Sequence, residues 1–162
     1  MTPTPSYLRG AVLKCRFPYD HSPRHPGPQP HYCLFIEQLQ GIEIPLIALC
    51  YGTSRLDQDL LRAHQGAVLS VPSTLVRGAM PGHVTHFVCD HVALVPESWI
   101  HKDFNARLDF IRPDSRVNDP NRQHLYRQFE ALEPIMVQAT LDALKTHRRT
   151  GLPGLPTDSA LR

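Results

Sequence analysis

The chain has 162 residues, 41% of them hydrophobic and 20% charged. That suffices for one domain with a real core, is too short for two ordinary domains and a linker, and is too apolar for wholesale disorder. A formal net charge of +2 is by itself too small to announce a nucleic-acid binder.

The opening MTPTPSYLRG lacks a basic region followed by an apolar one, and no run approaches the roughly 18 apolar residues of a membrane span, so the chain reads as soluble and cytoplasmic. Leu8 to Phe17 alternates after Gly10, with Leu13, Cys15 and Phe17 on one face and Lys14 and Arg16 on the other, the pattern of a half-buried strand. Five of the 16 prolines then crowd between Pro18 and Pro30. A proline has no backbone N–H and a fixed φ, so this stretch is expected to be an irregular loop. Residues 1–31 carry Arg9, Lys14, Arg16 and Arg24 against Asp20 alone, with His21, His25 and His31 beside them, a plausible footprint for a phosphate-bearing partner.

His31 to Gln38 and Ile42 to Tyr51 are rich in aliphatic, aromatic and β-branched residues around Leu39-Gln40-Gly41, which suits a hairpin of central strands. Leu56 to His64 predicts one or two helical turns. Ala67–Pro72, Val84–Val88 and His91–Val95 predict three more strands, giving six short ones and a small antiparallel barrel or sandwich. Farther on, Asn118 or Asp119 can cap a helix with Pro120 in its first turn, and Leu125, Phe129, Leu132, Met136, Ala139 and Ala143 follow alternating steps of four and three. Pro134 falls inside this helix and is expected to kink or split it. Residues 152–162 read as a loose tail.

Three constellations can carry chemistry. Thr53-Ser54-Arg55, just past an apolar strand and a glycine, offers two hydroxyls and a guanidinium to a phosphate, although a turn in which Thr53 bonds its own backbone is the commoner use of such a tripeptide. The histidines of the loop and His31 titrate near neutral pH and can serve as general acid or base; solvated surface histidines are again the plainer reading. A metal could draw on His21, His25, His31 or the run Cys89-Asp90-His91, but no spacing typical of a zinc site occurs. Cys15, Cys33, Cys50 and Cys89 each sit in an apolar stretch and read as four core thiols.

Residues 8–96 resemble the MazF/PemK (Kid/CcdB-like) toxins of toxin–antitoxin systems. Arg9-Gly10-Ala11-Val12-Leu13 stands where that family has its opening R-G-D-I/V strand, Phe17-Pro18 where it often has F-P, and His31-Tyr32-Cys33-Leu34-Phe35-Ile36 in place of R-P-A-L-V-I. Ala48 to Ser54 resembles the strand ending in P-I-T-S, while Thr85-His86-Phe87 and Val92 to Pro96 match later strands loosely.

Residues 101–150, beyond what that family usually needs, are expected to form a helical extension packed on the barrel or across a dimer, and 151–162 a flexible tail, which makes the chain mainly β with a C-terminal helix. Over residues 1–100 the resemblance implies a small SH3-like antiparallel barrel that forms a homodimer. It implies a metal-independent endoribonuclease without cofactor, acting on single-stranded RNA and inhibited by an acidic antitoxin protein. Thr53 matches a family catalytic position, but Pro30-His31 replaces the family's Arg-Pro, so the expected catalytic set is His31, Thr53 and Arg55. Lys14, Arg16, Arg24, His25 and Ser54 are expected to bind RNA. The missing arginine favours the alternative, a non-catalytic SH3-like binding module.

Overall fold

Seven strands and two helices account for most of the regular structure in a computed structural model of the chain, which describes residues 7–19, 22, 25–39, 45–55, 57–77, 84–104, 106–111 and 119–150, with side chains as far as 146. The strands are β1 (Ala11–Cys15), β2 (His31–Leu39), β3 (Leu46–Thr53), β4 (Val68–Pro72), β5 (Val76–Arg77), β6 (Val84–Pro96) and β7 (Ala106–Leu108); the helices are α1 (Gln58–Ala63) and α2 (Pro120–Thr150). All pair antiparallel in one sheet of order β4-β6-β3-β2-β1-β7-β5.

The two edge strands, β4 and β5, are joined through the single 3-10 turn Ser73–Leu75, so the sheet must curl until its ends approach at that corner. No ladder joins β4 to β5 among the described residues, and the sheet is open where a closed barrel was expected.

The near-continuous apolar runs of β2 and β3 place them centrally, as their composition requires. The expected strands Val84–Val88 and His91–Val95 are one strand, β6. Its ladder with β3 jumps from Cys50↔Val92 to Tyr51↔Val88, leaving Cys89, Asp90 and His91 opposite no partner. That irregularity bends β6, so its first half pairs with β4 and the end of β3 while its second half pairs with the start of β3. Strands β5 and β7, of two and three residues, are additions to the expected six; β7 inserts between β1 and β5, so the sheet draws on residues past 100.

Helix α2 is a single element in which Pro134 does not split the chain. The proline removes the amide that would bond the carbonyl of Glu130, and both residues are exposed, so that carbonyl can turn to water while the opposite face holds the helix in place. The anchors are Leu125, Phe129, Leu132 and Met136, buried against Val12, Leu34, Leu69, Phe87 and Leu108 in the larger core cluster. Thr140 is buried one turn later and satisfies its hydroxyl by donating to the Met136 carbonyl at 2.8 Å. At the N-terminus Asp119 caps as expected, accepting from the Asn121 amide at 2.9 Å. Arg9 lies 4.8 Å from the centre of the Phe129 ring and pairs with Glu133, tying the entry of β1 to the helix.

The other sheet face carries Leu13, Cys15, Phe17, Cys33, Phe35, Ile47, Leu49, Ala93 and Val95. All four cysteines are buried free thiols, as expected of core residues, and burial pushes Cys15 up to about 12.

Candidate functional site

The strand ends that finish β3 carry a row of polar side chains across four neighbouring strands. Thr53 of β3 is the register partner of His86 of β6, and His86 is in turn the partner of Ser70 of β4. Directly paired residues of antiparallel strands project from the same face, so the three stand side by side. Ser70 Oγ lies 2.7 Å from His86 Nδ1.

On the far side of Thr53, His31 opens β2. Its ring is 5.1 Å from that of Tyr51, and it hydrogen-bonds the backbone of Gly52, one residue from Thr53 along β3. Residue 52 must be glycine there, because a Cβ would run into the Tyr32 carbonyl oxygen. Thr53 is thereby flanked by an imidazole on each side, and all four residues of the row are half-buried. Desolvation lowers the pKa of both His31 and His86 below 6.5, opposed at His31 by the Gly52 hydrogen bond, whose direction marks the ring N–H as the donor.

The Thr53-Ser54-Arg55 turn closes on itself. Thr53 Oγ1 accepts from the Arg55 amide at 3.1 Å and donates to the Arg55 carbonyl at 3.2 Å, so its one hydroxyl proton is already engaged. Ser54 and Arg55 are exposed at the tip. His31, Thr53 and Arg55 thus gather at one sheet end.

The expected RNA-binding residues divide. Lys14 pairs with Tyr32, and its Nζ lies 6.0 Å from that ring, on the face opposite to the one shared by His31 and its partner Cys15. Arg16 is exposed just past β1, where its amide donates to the Trp99 carbonyl. His25 is exposed and close to Ser22 (Nδ1 to Oγ 3.2 Å), in a loop whose Gly27 amide returns to the Arg16 carbonyl. Arg24 and His21 lie outside the described residues.

Sequence reasoning missed His86 and Ser70 as site members. The available signal was a lone serine in the apolar run AVLSVP and a histidine beside Thr85 in VTHFV; which strands pair, and in what register, is a non-local fact.

A ladder of rings leads away from this row. Tyr51 stands 5.2 Å from both Phe17 and His91, and His91 stacks parallel on His64 at 6.1 Å. His64 Nδ1 in turn meets Asp90 Oδ1 at 2.6 Å. Beside the ladder, the interruption in β6, the segment Phe17–Tyr19 and the second half of α2 enclose a cleft of about 490 Å³. Among the described residues no three His, Cys, Asp or Glu side chains are grouped to hold a metal ion; Cys89 points into the core and Asp90 is engaged by His64.

Compared with known proteins, the chain matches no family model and no curated protein.

Proposed function

We propose that the chain is a metal-independent endoribonuclease of the MazF/PemK kind, cleaving single-stranded RNA as the toxin of a toxin–antitoxin pair, with His31 and His86 as its acid–base residues. The observation that carries this reading is the pair of imidazoles, both shifted toward the neutral form, on either side of the Thr53-Ser54-Arg55 turn. Cleavage of a ribose phosphate by its own 2′-hydroxyl needs a base for that proton, an acid for the departing 5′-oxygen and a cation for the developing charge.

In this scheme His31 is the base. Its N–H is held by the Gly52 backbone, which leaves the other ring nitrogen as the acceptor of the 2′-OH proton. The 2′-oxygen attacks phosphorus, the bond to the 5′-oxygen breaks, and His86, oriented by Ser70 at Nδ1, supplies the proton from Nε2. The products are a 2′,3′-cyclic phosphate and a 5′-hydroxyl. Arg55 offers the cation at the exposed tip, while Thr53 shapes the turn through its bonds to Arg55. Ser54, exposed beside Arg55 at the tip, supplies a contact to the RNA backbone.

The curled sheet is read here as an opened SH3-like barrel, and the scheme includes a homodimer and an acidic inhibitor protein for the basic N-terminal third. The test is incubation of the protein with labelled single-stranded RNA of mixed sequence in excess chelator. His31→Ala and His86→Ala are each expected to slow cleavage about 10²- to 10⁴-fold. No cleavage by the native chain, or cleavage indifferent to both substitutions, defeats the reading.

A specific observation favours a second reading, a non-catalytic binding module: the Thr53 hydroxyl proton is spent on its own turn, and none of the four residues of the row is an arginine. Tight RNA binding with no cleavage in the same assay selects it.

A further inference from the structure

The cleft beside the ring ladder lies outside the polar row, yet its lining includes Phe17 and His91, both of which stand against Tyr51 on the path that leads to His31. We infer that this cleft is a nucleobase subsite that selects guanine next to the scissile phosphate, an inference that rests on the endoribonuclease reading.

Three observations lead to it. The volume, about 490 Å³, falls in the range of small-molecule sites, and Phe17 and His91 meet edge to face at 5.2 Å to give an aromatic wall on which a planar base can pack. Among the described residues that line it there is no lysine or arginine and there are two carboxylates, Asp90 and Asp142, a charge balance that disfavours phosphate. Finally, the two ring-to-ring steps from His31 through Tyr51 to His91 are 5.1 and 5.2 Å, which puts the cleft within reach of a base neighbouring a phosphate bound at His31.

Asp142 is the reader. Asp90 is engaged by His64, whereas Asp142 is held in place by Gln138 Nε2, which donates to its Oδ1 at 3.0 Å. A carboxylate has two acceptor oxygens with about four lone-pair sites. Guanine is the base whose Watson–Crick edge offers two adjacent N–H donors, N1–H and the exocyclic amine, to such a pair. Adenine and cytosine set an acceptor nitrogen beside their amine, and uracil offers one donor between two carbonyls, so each of them places an acceptor against the carboxylate. Single-stranded RNA leaves these edges open to be read.

The experiment is calorimetric titration of the intact protein, in chelator, with the 5′-monophosphates of guanosine, adenosine, cytidine and uridine, and with arginine as a cationic control. Guanosine monophosphate is expected to bind at least about tenfold more tightly than the other three, and Asp142→Asn, which turns an N–H toward the base, to abolish that preference. Gln138→Ala is expected to weaken it while leaving the other three nucleotides unchanged. Equal binding of all four nucleotides, binding of none, a preference that survives Asp142→Asn, or arginine binding in place of guanosine monophosphate overturns the inference. The two readings fail separately: a guanine preference that depends on Asp142 in a protein that cuts no RNA upholds the subsite against the nuclease, and cleavage without any mononucleotide preference overturns the subsite alone.

Discussion

At the scale of single residues, the proposed reaction assigns opposite tasks to His31 and His86, two imidazoles whose pKa values are shifted in the same direction. A base must be neutral and an acid must carry its proton. Burial lowers both pKa values, so His31 stays competent to somewhat lower pH than a free histidine, while His86 holds its proton only at pH below its ordinary 6.5. Both limbs of the rate profile therefore move to acid. The expected outcome is a bell-shaped dependence of kcat/KM with its maximum below pH 6.5; a maximum above pH 7 contradicts the assignment. His31 was visible as a candidate because it stands at a strand start beside a histidine-rich loop. His86 was not, because its chemistry comes from Ser70 and Thr53, which lie 16 and 33 positions away in sequence and become neighbours only through the β4–β6–β3 register.

At the scale of elements, periodicity made the long pieces legible and left the short ones hidden. The four-and-three spacing from Leu125 to Met136 defines the buried face of α2, and the apolar runs of β2 and β3 define central strands. Strands of two or three residues carry no period, so β5 and β7 emerge only from their partners. The gap read between Val88 and His91 was a real feature, but it marks the bend within β6 rather than a turn between two strands. That bend is what brings His91 to Tyr51 and opens the cleft against α2. Helix and cleft consequently depend on the same anchors. Phe129 is 3% exposed and is covered by Arg9. Phe129→Ala is expected to cost about 3–5 kcal/mol in urea unfolding, from lost burial and the cavity left behind. A loss under 1 kcal/mol would mean that α2 is not held to the sheet as described.

At the scale of the whole molecule, a curled open sheet gathers its polar strand ends into one row and lays one long helix across its back. The sheet edges that meet at Ser73–Leu75 give it the curvature of a barrel without a closing ladder. The proline-rich loop, which first excluded regular structure from residues 18–30, returns through Gly27 to Arg16 and so borders the Phe17 end of the ring ladder. The molecule therefore presents two differently built surfaces side by side, an imidazole row and a cleft with aromatic and carboxylate lining, which the proposals above assign to a phosphate and a base. The proposed reaction uses the RNA's own 2′-hydroxyl as nucleophile. Its most direct test is mass spectrometry of products from an RNA oligonucleotide, in chelator, beside the same oligonucleotide carrying a 2′-deoxyribose at the cut position. The account predicts a 2′,3′-cyclic phosphate and a 5′-hydroxyl from the first and no cut at the deoxy position in the second. Cleavage at the deoxy position, or products ending in a 5′-phosphate, would contradict it.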